Sequence, residues 1–367
     1  MRDLGTDVPR TPGSSSPASV RQTGPVTTPP PDLPPGRSPR VPGHRDVPAL
    51  VGLLAERRRA ARASPRVDTE LVESWVVGPA SWTRRQLVAV GADDVPAAWV
   101  VVHDRAAGRT GVELAVDPAA PDADGLAPAL LGWAASTARE VAAERGLPST
   151  QLDASPYVGE QRLKGWLTDA GYRKVRTWLQ MTRPVDDASS LPPPREGVVV
   201  RRVATHENGM PAAQDLQLVH RVLEESFADH FNSYRESFPE FLQRLREDPG
   251  HRWDHWWIAE VEVDGETVAG GALVASVARE DESGVEGSYV DYIGVHRTAR
   301  GRGVAKALLH TVIRDAHELG RNRVGLEVDA DSPTGADGLY RSMGWTTSYE
   351  TESWHADCPV EGHDSDG

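Results

Sequence analysis

Apolar and polar residues follow one another in the second half of the chain in an order that predicts strands and helices. Short apolar or alternating runs predict strands over 198–200, 256–261, 268–274, 289–295 and 324–328. Apolar residues at helical spacing predict helices over 212–227, 304–319 and 336–343. Asp264-Gly265 is typical of a hairpin turn, and Gly320 is typical of a helix end. This order predicts an α/β (α+β) fold with a mixed sheet.

The first half repeats the same order more loosely. Strands are predicted over 86–90, 97–102 and 112–116, in the order found for the second half. Ala170-Gly171-Tyr172 also resembles Met343-Gly344-Trp345 at the corresponding place. We interpret the likeness as an internal duplication, with chance agreement between two α/β segments as the alternative.

Composition divides the chain into segments. Residues 1–40 are rich in proline and are predicted to be a disordered tail, because they contain too little apolar surface to form a core. Prolines and small polar residues cluster again over 185–197, which predicts a linker. The predicted domains are therefore 41–184 and 198–358, followed by a polar tail over 359–367.

Overall composition excludes several classes of protein. No apolar run approaches the ~18 residues of a membrane span, and a net charge of −14 argues against a general nucleic-acid binder. Cys358 is the only cysteine, and residues 1–20 lack the apolar core of a signal peptide, so a cytoplasmic location is expected. Residues 198–367 hold 31 acidic and 16 basic residues, against 23 and 24 in the rest. This asymmetry favours solubility or, alternatively, attraction of a cation.

The most informative stretch joins the strand that ends at Val295 to the helix that begins at Val304. Between them, Arg300-Gly301-Arg302-Gly303 combines two arginines with two glycines. Glycines allow close approach to the backbone, and a helix N-terminus attracts anions, so the stretch predicts a phosphate site. It matches neither the Walker pattern nor the dinucleotide pattern, whose third glycine is missing. A tight turn without a ligand is the alternative.

These residues resemble a known family. Arg300-x-x-Gly303-x-Ala305 resembles the coenzyme A signature of the GCN5-related N-acetyltransferases (GNAT), and Ala336-x3-Tyr340-x3-Gly344-Trp345 resembles the closing motif of that family. The resemblance implies a splayed sheet with acetyl-CoA, the co-substrate, between two parting strands. It implies coenzyme contacts at Ile293, Val295, Arg300, Gly301, Arg302, Gly303, Val304 and Ala305, and at Ser332, where the family usually has asparagine.

The first half resembles the same fold in degraded form. Residues 118–125 stand where the signature is expected, but they contain acids and no arginine, and Leu167 stands in the place of Tyr340. We therefore expect two tandem acyl-CoA N-acyltransferase-like domains, of which 41–184 is degenerate and 198–358 is catalytic. This layout is similar to that of mycothiol synthase.

The resemblance implies an N-acetyltransferase that moves the acetyl group of acetyl-CoA to a primary amine. Tyr340 is the candidate acid for the departing thiolate, with a packing role as the alternative. Asp291 and Glu327 are candidate bases, because each lies mid-strand among apolar residues that would raise its pKa. A water relay without a single base is equally consistent with the sequence.

The acceptor site is predicted near an aromatic stretch that includes Phe227, Phe231 and Tyr234. These residues suit a cationic or aromatic amine, although two amphipathic helices would explain them equally well. Two other functions stay open: a catalytically silent coenzyme A sensor, and acetylation of a cysteinyl amine as in mycothiol synthase. His251 and His255 are interpreted as packing residues, and no metal is expected.

Overall fold

The computed structural model describes residues 28–61, 64, 66–105, 107–186, 188, 190–228, 236–331 and 335–360. The first half contains β1 (Ser38–Arg40), α1 (Val47–Ala60), α2 (Thr69–Val76), β2 (Arg84–Val90), β3 (Pro96–Asp104), β4 (Arg109–Val116), α3 (Ala123–Glu144), β5 (Ser149–Ala154), α4 (Gln161–Asp169) and β6 (Arg173–Pro184). The second half contains β7 (Val198–Arg202), α5 (Ala213–Phe227), α6 (Phe238–Arg246), β8 (His251–Val263), β9 (Glu266–Ala278), β10 (Gly287–Val295), α7 (Val304–Glu318), β11 (Arg323–Asp329), α8 (Ala336–Ser342) and β12 (Thr346–Pro359). The two halves therefore have the same order of elements, as an internal duplication predicts.

Local chemistry explains where several of these elements begin and end. Asp264 and Gly265 both have positive φ angles, 53° and 84°, as the two-residue hairpin between β8 and β9 requires. Helix α7 buries Leu308, Leu309 and Val312 on one face. It ends before Gly320, whose φ of 70° turns the chain out of the helix.

The described strands form one twelve-stranded mixed sheet in the order β1-β2-β3-β4-β5-β12-β6-β11-β10-β9-β8-β7. In each half, neighbouring strands are antiparallel except for one parallel pair, β4 with β5 and β10 with β11. Helix α7 packs with the core on one face of the second half, while α5 and α6 cover the other face. The mixed α/β fold predicted from the sequence is confirmed.

The last strand of each half lies within the sheet of the other half. Strand β6 pairs with β11, so that Met181 lies opposite Leu326, and strand β12 pairs with β5, so that Ala356 lies opposite Leu152. Met181 is buried in the core of the second half, and Cys358 in the core of the first. Each half is thus completed by a strand of the other, and the predicted domain boundaries stay predictions.

Part of the predicted N-terminal tail has a defined path. Strand β1 pairs with β2, and Leu33 packs against the core of the first half. Arg37 forms an ion pair with Asp122 at 2.8 Å. Residues 28–40 thus differ from the predicted disorder, because apolar packing and this ion pair offset their ordering entropy. The disorder predicted for residues 1–27 concerns residues outside the described part of the chain.

No helix in the described ranges is long and apolar enough to cross a membrane. The cytoplasmic location stays a prediction.

The strand exchange predicts that neither half folds alone. A chain of residues 28–197 lacks β12, and a chain of residues 198–360 lacks β6, so each would expose an apolar sheet edge. We expect each half alone to aggregate or to show no cooperative thermal unfolding, and co-expression of the two to restore one cooperative transition. The measurement is circular dichroism during heating, with the 28–360 chain as control. A half that unfolds cooperatively by itself would contradict this prediction.

Candidate active site

The parallel strands β10 and β11 separate after three residue pairs. Ser288, Tyr289 and Val290 pair with Val324, Gly325 and Leu326, and the ladder ends there. Strand β10 nevertheless continues to Val295 with β9 as its partner. A slot therefore opens between β10 and β11 beyond Val290, as the family resemblance implies.

A β-bulge at Asp291 lies where the slot begins. The register of β10 against β9 shifts between Val290 and Tyr292, so Asp291 has no partner in the ladder. Beyond the bulge, the N–H of His296 donates to Gly270 on the β9 side at 3.0 Å. Because backbone N–H groups alternate along a strand, those of Val295 and Ile293 are directed to the slot. The coenzyme contacts predicted for both residues stay predictions.

The slot leads to the turn before α7. Gly301 and Gly303 have φ angles of 79° and 87°, in the region that favours glycine. Gly303 is the N-cap of α7, and Val304, the first helical residue, is buried. Arg302 donates to the carbonyl of Glu262 at 2.6 Å. The turn thus presents a helix N-terminus at the open end of the slot, which suits an anion.

The remaining predicted coenzyme contacts are less constrained. Arg300 is exposed and Ala305 is half-buried on the first turn of α7. Arg195, from the linker, lies over the turn: its Cδ is 2.9 Å from the position of a Cβ on Gly303. Ser332 lies outside the described residues.

Tyr340 reaches the same region from α8. Its side chain is 8% exposed, and its ring packs edge-on against Trp345 with the ring centroids 6.0 Å apart. Burial raises the pKa of Tyr340 to about 12. The hydroxyl is therefore protonated at neutral pH and can donate a hydrogen bond.

One cavity of about 780 Å³ connects these groups. Asp291, Glu327 and Tyr340 line it, together with Phe227 of α5. Phe227 packs edge-on against Tyr292, with ring centroids 6.5 Å apart. Phe231 and Tyr234, the other predicted acceptor residues, lie outside the described residues.

The two candidate bases lie side by side on one face of the sheet. Asp291 and Glu327 each follow the last residue of the parallel ladder, Val290 and Leu326. Those two residues are buried on the α7 side, so alternation directs both carboxylates to the opposite, acceptor side. The structure thus brings together two carboxylates that lie 36 positions apart in the chain.

The environments of these two carboxylates differ. Burial, followed by the negative charge of Asp248, raises the pKa of Asp291 to about 8. Its Oδ2 is buried and has no hydrogen-bond partner among the described residues. Glu327 is exposed to the cavity and accepts a hydrogen bond from Gln180. The surrounding walls still withdraw it from bulk water, and this burial raises the pKa of Glu327. Asp291 is therefore the carboxylate whose proton affinity best suits a base near neutral pH.

The first half supplies part of the cavity wall, which sequence reasoning did not predict. Trp178 and Arg176 of β6 and Arg105 near the end of β3 line the cavity. Arg176 lies 3.5 Å from Asp329. Nothing in the sequence indicates that β6 crosses into the other half of the sheet.

Arg244, Asp248 and Ser276 also line the cavity and were missed. Arg244 donates to both oxygens of Glu236, at 2.6 and 2.5 Å, and to the hydroxyl of Tyr292 at 2.6 Å. The only sequence signal for this group was the position of Arg244 four residues after Glu240 on a predicted helix, which does not distinguish a cavity from a solvated face.

The corresponding positions of the first half hold different residues. Its parallel ladder also spans three pairs, ending at Gly111 and Asp153. The next residues are Val112 and Ala154, both buried, in the places of Asp291 and Glu327. The β3–β4 register shows no bulge. Leu167 is buried where Tyr340 stands in the second half.

The N-terminal segment closes the coenzyme position of the first half. The Cγ of Pro34 lies 2.9 Å from the position of a Cβ on Gly125, in the first turn of α3. Asp122, the N-cap of α3, is bound by Arg37. An acidic N-cap and a covering segment disfavour the binding of phosphate here, and the inactivity expected of the first copy stays a prediction.

His251 and His255 belong to different environments. Trp256 donates to Nε2 of His251 at 3.2 Å, whereas Nε2 of His255 lies 2.7 Å from Arg321. Within the described part of the chain, no group of three or more His, Cys, Asp or Glu residues could hold a metal ion.

Comparison with known proteins finds a family match for part of the second half. Residues 219–345 match the model of the acetyltransferase (GNAT) family. The matched segment spans the slot, the turn before α7 and Tyr340. No curated protein matches the chain.

Solved structures extend the fold to both halves. A GCN5-related N-acetyltransferase from Sphaerobacter thermophilus is 24% identical, with a TM-score of 0.70 over 89% of this chain and 98% of that chain. A tandem GNAT protein from the clavulanic acid biosynthesis pathway is 14% identical, with a TM-score of 0.56 over 89% and 99%. The GCN5-related glucosamine N-acetyltransferase region of a fungal multi-domain β-N-acetylglucosaminidase is 12% identical, with a TM-score of 0.60 over 88% and 38%. The predicted pair of tandem acyltransferase-like domains is confirmed, while the likeness to mycothiol synthase stays a prediction.

The geometry of the turn predicts that Gly303→Glu weakens coenzyme A binding. A carboxylate at the N-cap repels phosphate, and a side chain at a φ of 87° strains the backbone. Loss of one charged hydrogen bond corresponds to an increase in Kd of about 10–100-fold. The measurement is calorimetric titration with coenzyme A. Gly320→Glu, at the other end of α7 with a φ of 70° and no atom within 4 Å of the new Cβ, is the matched control and should retain affinity. Equal Kd values for the two variants would refute the site.

The pKa of Asp291 predicts a pH-dependent effect of Asp291→Asn on stability. The folded protein holds a proton on Asp291 up to about pH 8, whereas the ordinary pKa is 3.8. The folded state therefore binds more protons in this range, and raising the pH lowers the free energy of unfolding. Asp291→Asn removes this loss of stability at high pH. The free energy of unfolding of the variant, relative to that of the natural protein, should therefore rise by about 1–3 kcal/mol between pH 5 and pH 9, the range for a buried polar group without a partner.

Urea unfolding at both pH values measures this difference. Asp329→Asn, which replaces a cavity carboxylate next to Arg176, is the control for loss of a charge from the same wall. A variant whose relative stability is the same at both pH values would contradict the assignment of a raised pKa to Asp291.

Proposed function

We propose that the chain is an N-acetyltransferase that transfers the acetyl group of acetyl-CoA to a primary amine. The observation that carries the proposal is the continuity of the site. Asp291, Glu327 and Tyr340 line one cavity together with Ile293 of β10, and β10 runs from there along the slot to the turn before α7. Thioester aminolysis needs an anchored donor, a polarised carbonyl, a base and a proton for the leaving thiolate. The site offers a candidate group for each of these four requirements.

The anchor and the polarising groups come from the backbone. The N-terminal N–H groups of α7, with Arg300 and Arg302, suit the pyrophosphate of the coenzyme. The N–H groups of Val295 and Ile293 face the slot and suit the thioester oxygen, whose negative charge increases in the transition state.

Asp291 suits the base. An alkyl amine is mostly protonated at neutral pH, because its pKa is close to that of lysine, about 10.4. With a pKa of about 8, Asp291 accepts a proton more readily than an ordinary carboxylate. The neutral nitrogen then attacks the carbonyl carbon, and the C–S bond breaks as the C–N bond forms.

Tyr340 suits the acid. Its hydroxyl donates a proton or a hydrogen bond to the sulfur as negative charge develops there. A phenol whose pKa is about 12 is fully protonated in the free protein, so the donor is always in the required form.

The cavity favours a cationic acceptor with an apolar or aromatic body. Asp291 and Glu327 supply negative charge once they are ionised, and Phe227 and Tyr292 supply aromatic surface. A cysteinyl amine, as in mycothiol synthase, is one candidate within this class. The glucosamine named for the fungal relative is a candidate by analogy only.

The deciding experiment measures free thiol released from acetyl-CoA with a panel of amines: diamines, aminosugars, arylalkylamines, cysteine derivatives and peptide N-termini. Release that depends on one amine class supports the proposal, and mass spectrometry of the product fixes the acetylated nitrogen. Coenzyme A binding without release on any amine would instead favour the sensor function.

Tyr340→Phe tests the acid. The ring and its packing on Trp345 are retained, so the fold should survive and the KM for acetyl-CoA should change little. Loss of one general acid typically lowers the rate 10²–10⁴-fold, and we expect kcat to fall within or slightly short of about that range. The measurement is steady-state kinetics on a good amine. Tyr349→Phe alters a tyrosine that packs on Tyr157 instead and should keep kcat. An unchanged kcat for Tyr340→Phe would leave Tyr340 as a packing residue.

A further inference from the structure

Ser276 of β9 lies between two carboxylates of the cavity. It is 3% exposed, and its hydroxyl donates to Oδ1 of Asp291 at 3.3 Å. Asp248, in the segment that follows α6, lines the same cavity. Its segment lies beside Ser276, because the N–H of Val277 donates to the carbonyl of Gly250 at 2.8 Å. A hydroxyl has one proton, so it can donate to only one of the two carboxylates at a time.

Neither carboxylate forms an ion pair with any of the residues that the structure describes. Oδ1 of Asp248 accepts the N–H of Gly250 at 2.7 Å, while Oδ2 of Asp291 is buried without a partner. Two negative charges next to one hydroxyl in a partly closed cavity repel each other strongly.

Other ionisable groups of the cavity do not relieve this repulsion. Arg244 of α6 attracts Asp291, but its guanidinium is engaged with both oxygens of Glu236. Other titratable groups line the cavity on the described elements around Asp291. They are His220 and Glu224 of α5, His251 of β8, Tyr289 and Tyr292 of β10, and Glu327 and Asp329 of β11. Arg279 attracts Asp248, while Asp68 repels it.

A carboxylate pair of this kind holds one proton between its members. Ionisation of the second member has to overcome the charge of the first, so the pair titrates as a unit. Burial is the largest cause of the raised pKa of both Asp248 and Asp291, and the charge of Asp248 is the next cause for Asp291.

We propose that Asp248 and Asp291, bridged by Ser276, share one proton, so that Asp248 is a positioning residue that sets the proton affinity of the base. The proposal rests on the proposed function for the chemical step, but the pair itself exists without any acceptor.

The proton balance of the step is simple. An ammonium acceptor gives one proton to ionised Asp291: an N–H bond breaks, an O–H bond forms, and the electron pair stays on nitrogen for attack on the thioester. The proton taken up is then shared with Asp248 through Ser276 and leaves to solvent after the acetyl group has moved. The nitrogen loses its second proton as the C–N bond forms and the C–S bond breaks, and this proton replaces the one that Tyr340 gives to the leaving thiolate. No oxidant, metal or further reactant is needed.

Two variants should shift the pH dependence of kcat/KM in opposite directions. The part of the profile concerned is its acidic limb, where the rate rises with pH as the base ionises. Asp248→Asn keeps the acceptor oxygen for Gly250 but removes the like charge, so the limb should move to lower pH by about one unit or more. The rate at pH 6 relative to pH 9 should then rise about tenfold. Ser276→Ala removes a hydrogen bond that stabilises ionised Asp291, so its limb should move to higher pH. Damage to the fold alone lowers the rate without moving the limb.

Asp329→Asn is the control, and its limb should stay in place whatever its effect on the rate. A limb that does not move in Asp248→Asn, or that moves in the same direction in both test variants, would overturn the proposal. Where Asp248→Asn fails to fold by circular dichroism, the direction of the Ser276→Ala shift decides.

A second measurement separates this proposal from the proposed function. The pH dependence of urea unfolding, without coenzyme or amine, reports the protons that the folded protein holds. Asp248→Asn should reduce the loss of stability between pH 5 and pH 9, and it should have much less effect when Asp291→Asn is already present. If the two substitutions are coupled in this way but no amine causes thiol release, the carboxylate pair is supported and the proposed enzymatic function is refuted. If thiol is released but the acidic limb of the pH profile does not move and the two substitutions are not coupled, only the carboxylate pair is refuted.

Discussion

The short parallel ladder between β10 and β11 is the constraint on which the rest of the site depends. Three residue pairs hold the strands together up to Val290 and Leu326, and beyond them β10 has hydrogen-bond partners on one side only. The unpaired side offers backbone N–H groups that a sheet normally uses internally. The same divergence places Asp291 and Glu327 on the two sides of the opening and leads to the N-terminus of α7. A longer ladder would close the slot and remove these features together.

The exchange of β6 and β12 decides what surrounds this opening. Because β6 borders β11, Gln180 of the first half donates to Glu327, and Trp178 forms part of the cavity wall. The first half therefore does more than duplicate the fold. It closes the cavity that the second half opens, and this closure is one reason why the carboxylates are withdrawn from water and why the pKa of each is raised.

The sequence predicted the position of the turn and the elements of the second half other than α6 and β12, because these depend on local signals. Alternation marks β10, helical spacing marks α7, and the positive φ angles of Gly301 and Gly303 need glycine. The family resemblance added Tyr340, which no local signal identifies.

Pairing between distant segments was not predictable from the sequence. The exchange of strands depends on the sheet edge with which an apolar strand pairs. The sequences of β6 and β12 contain no local signal for the strand with which each one pairs. The proximity of Asp248 and Asp291 was not predictable for the same reason, because Asp248 precedes Pro249 and Gly250 and is typical of an ordinary turn. Residues 1–40 were predicted as a tail from their prolines, yet Leu33 and Arg37 have partners that lie far along the chain.

The two halves show that the slot and the chemistry are separable. Both parallel ladders end after three pairs, so the backbone splays in each half. In the first half, Glu113 of β4 is bound by Arg57, which also holds Glu160, and apolar residues follow the end of the ladder. In the second half the same positions hold carboxylates that form no ion pair among the described residues, at a bulge that β10 has and β4 lacks. A buried carboxylate without a cationic partner lowers stability, and the first half lacks any at these positions. Its retention in the second half is best explained by a charged group that arrives from outside, which is what an ammonium acceptor supplies.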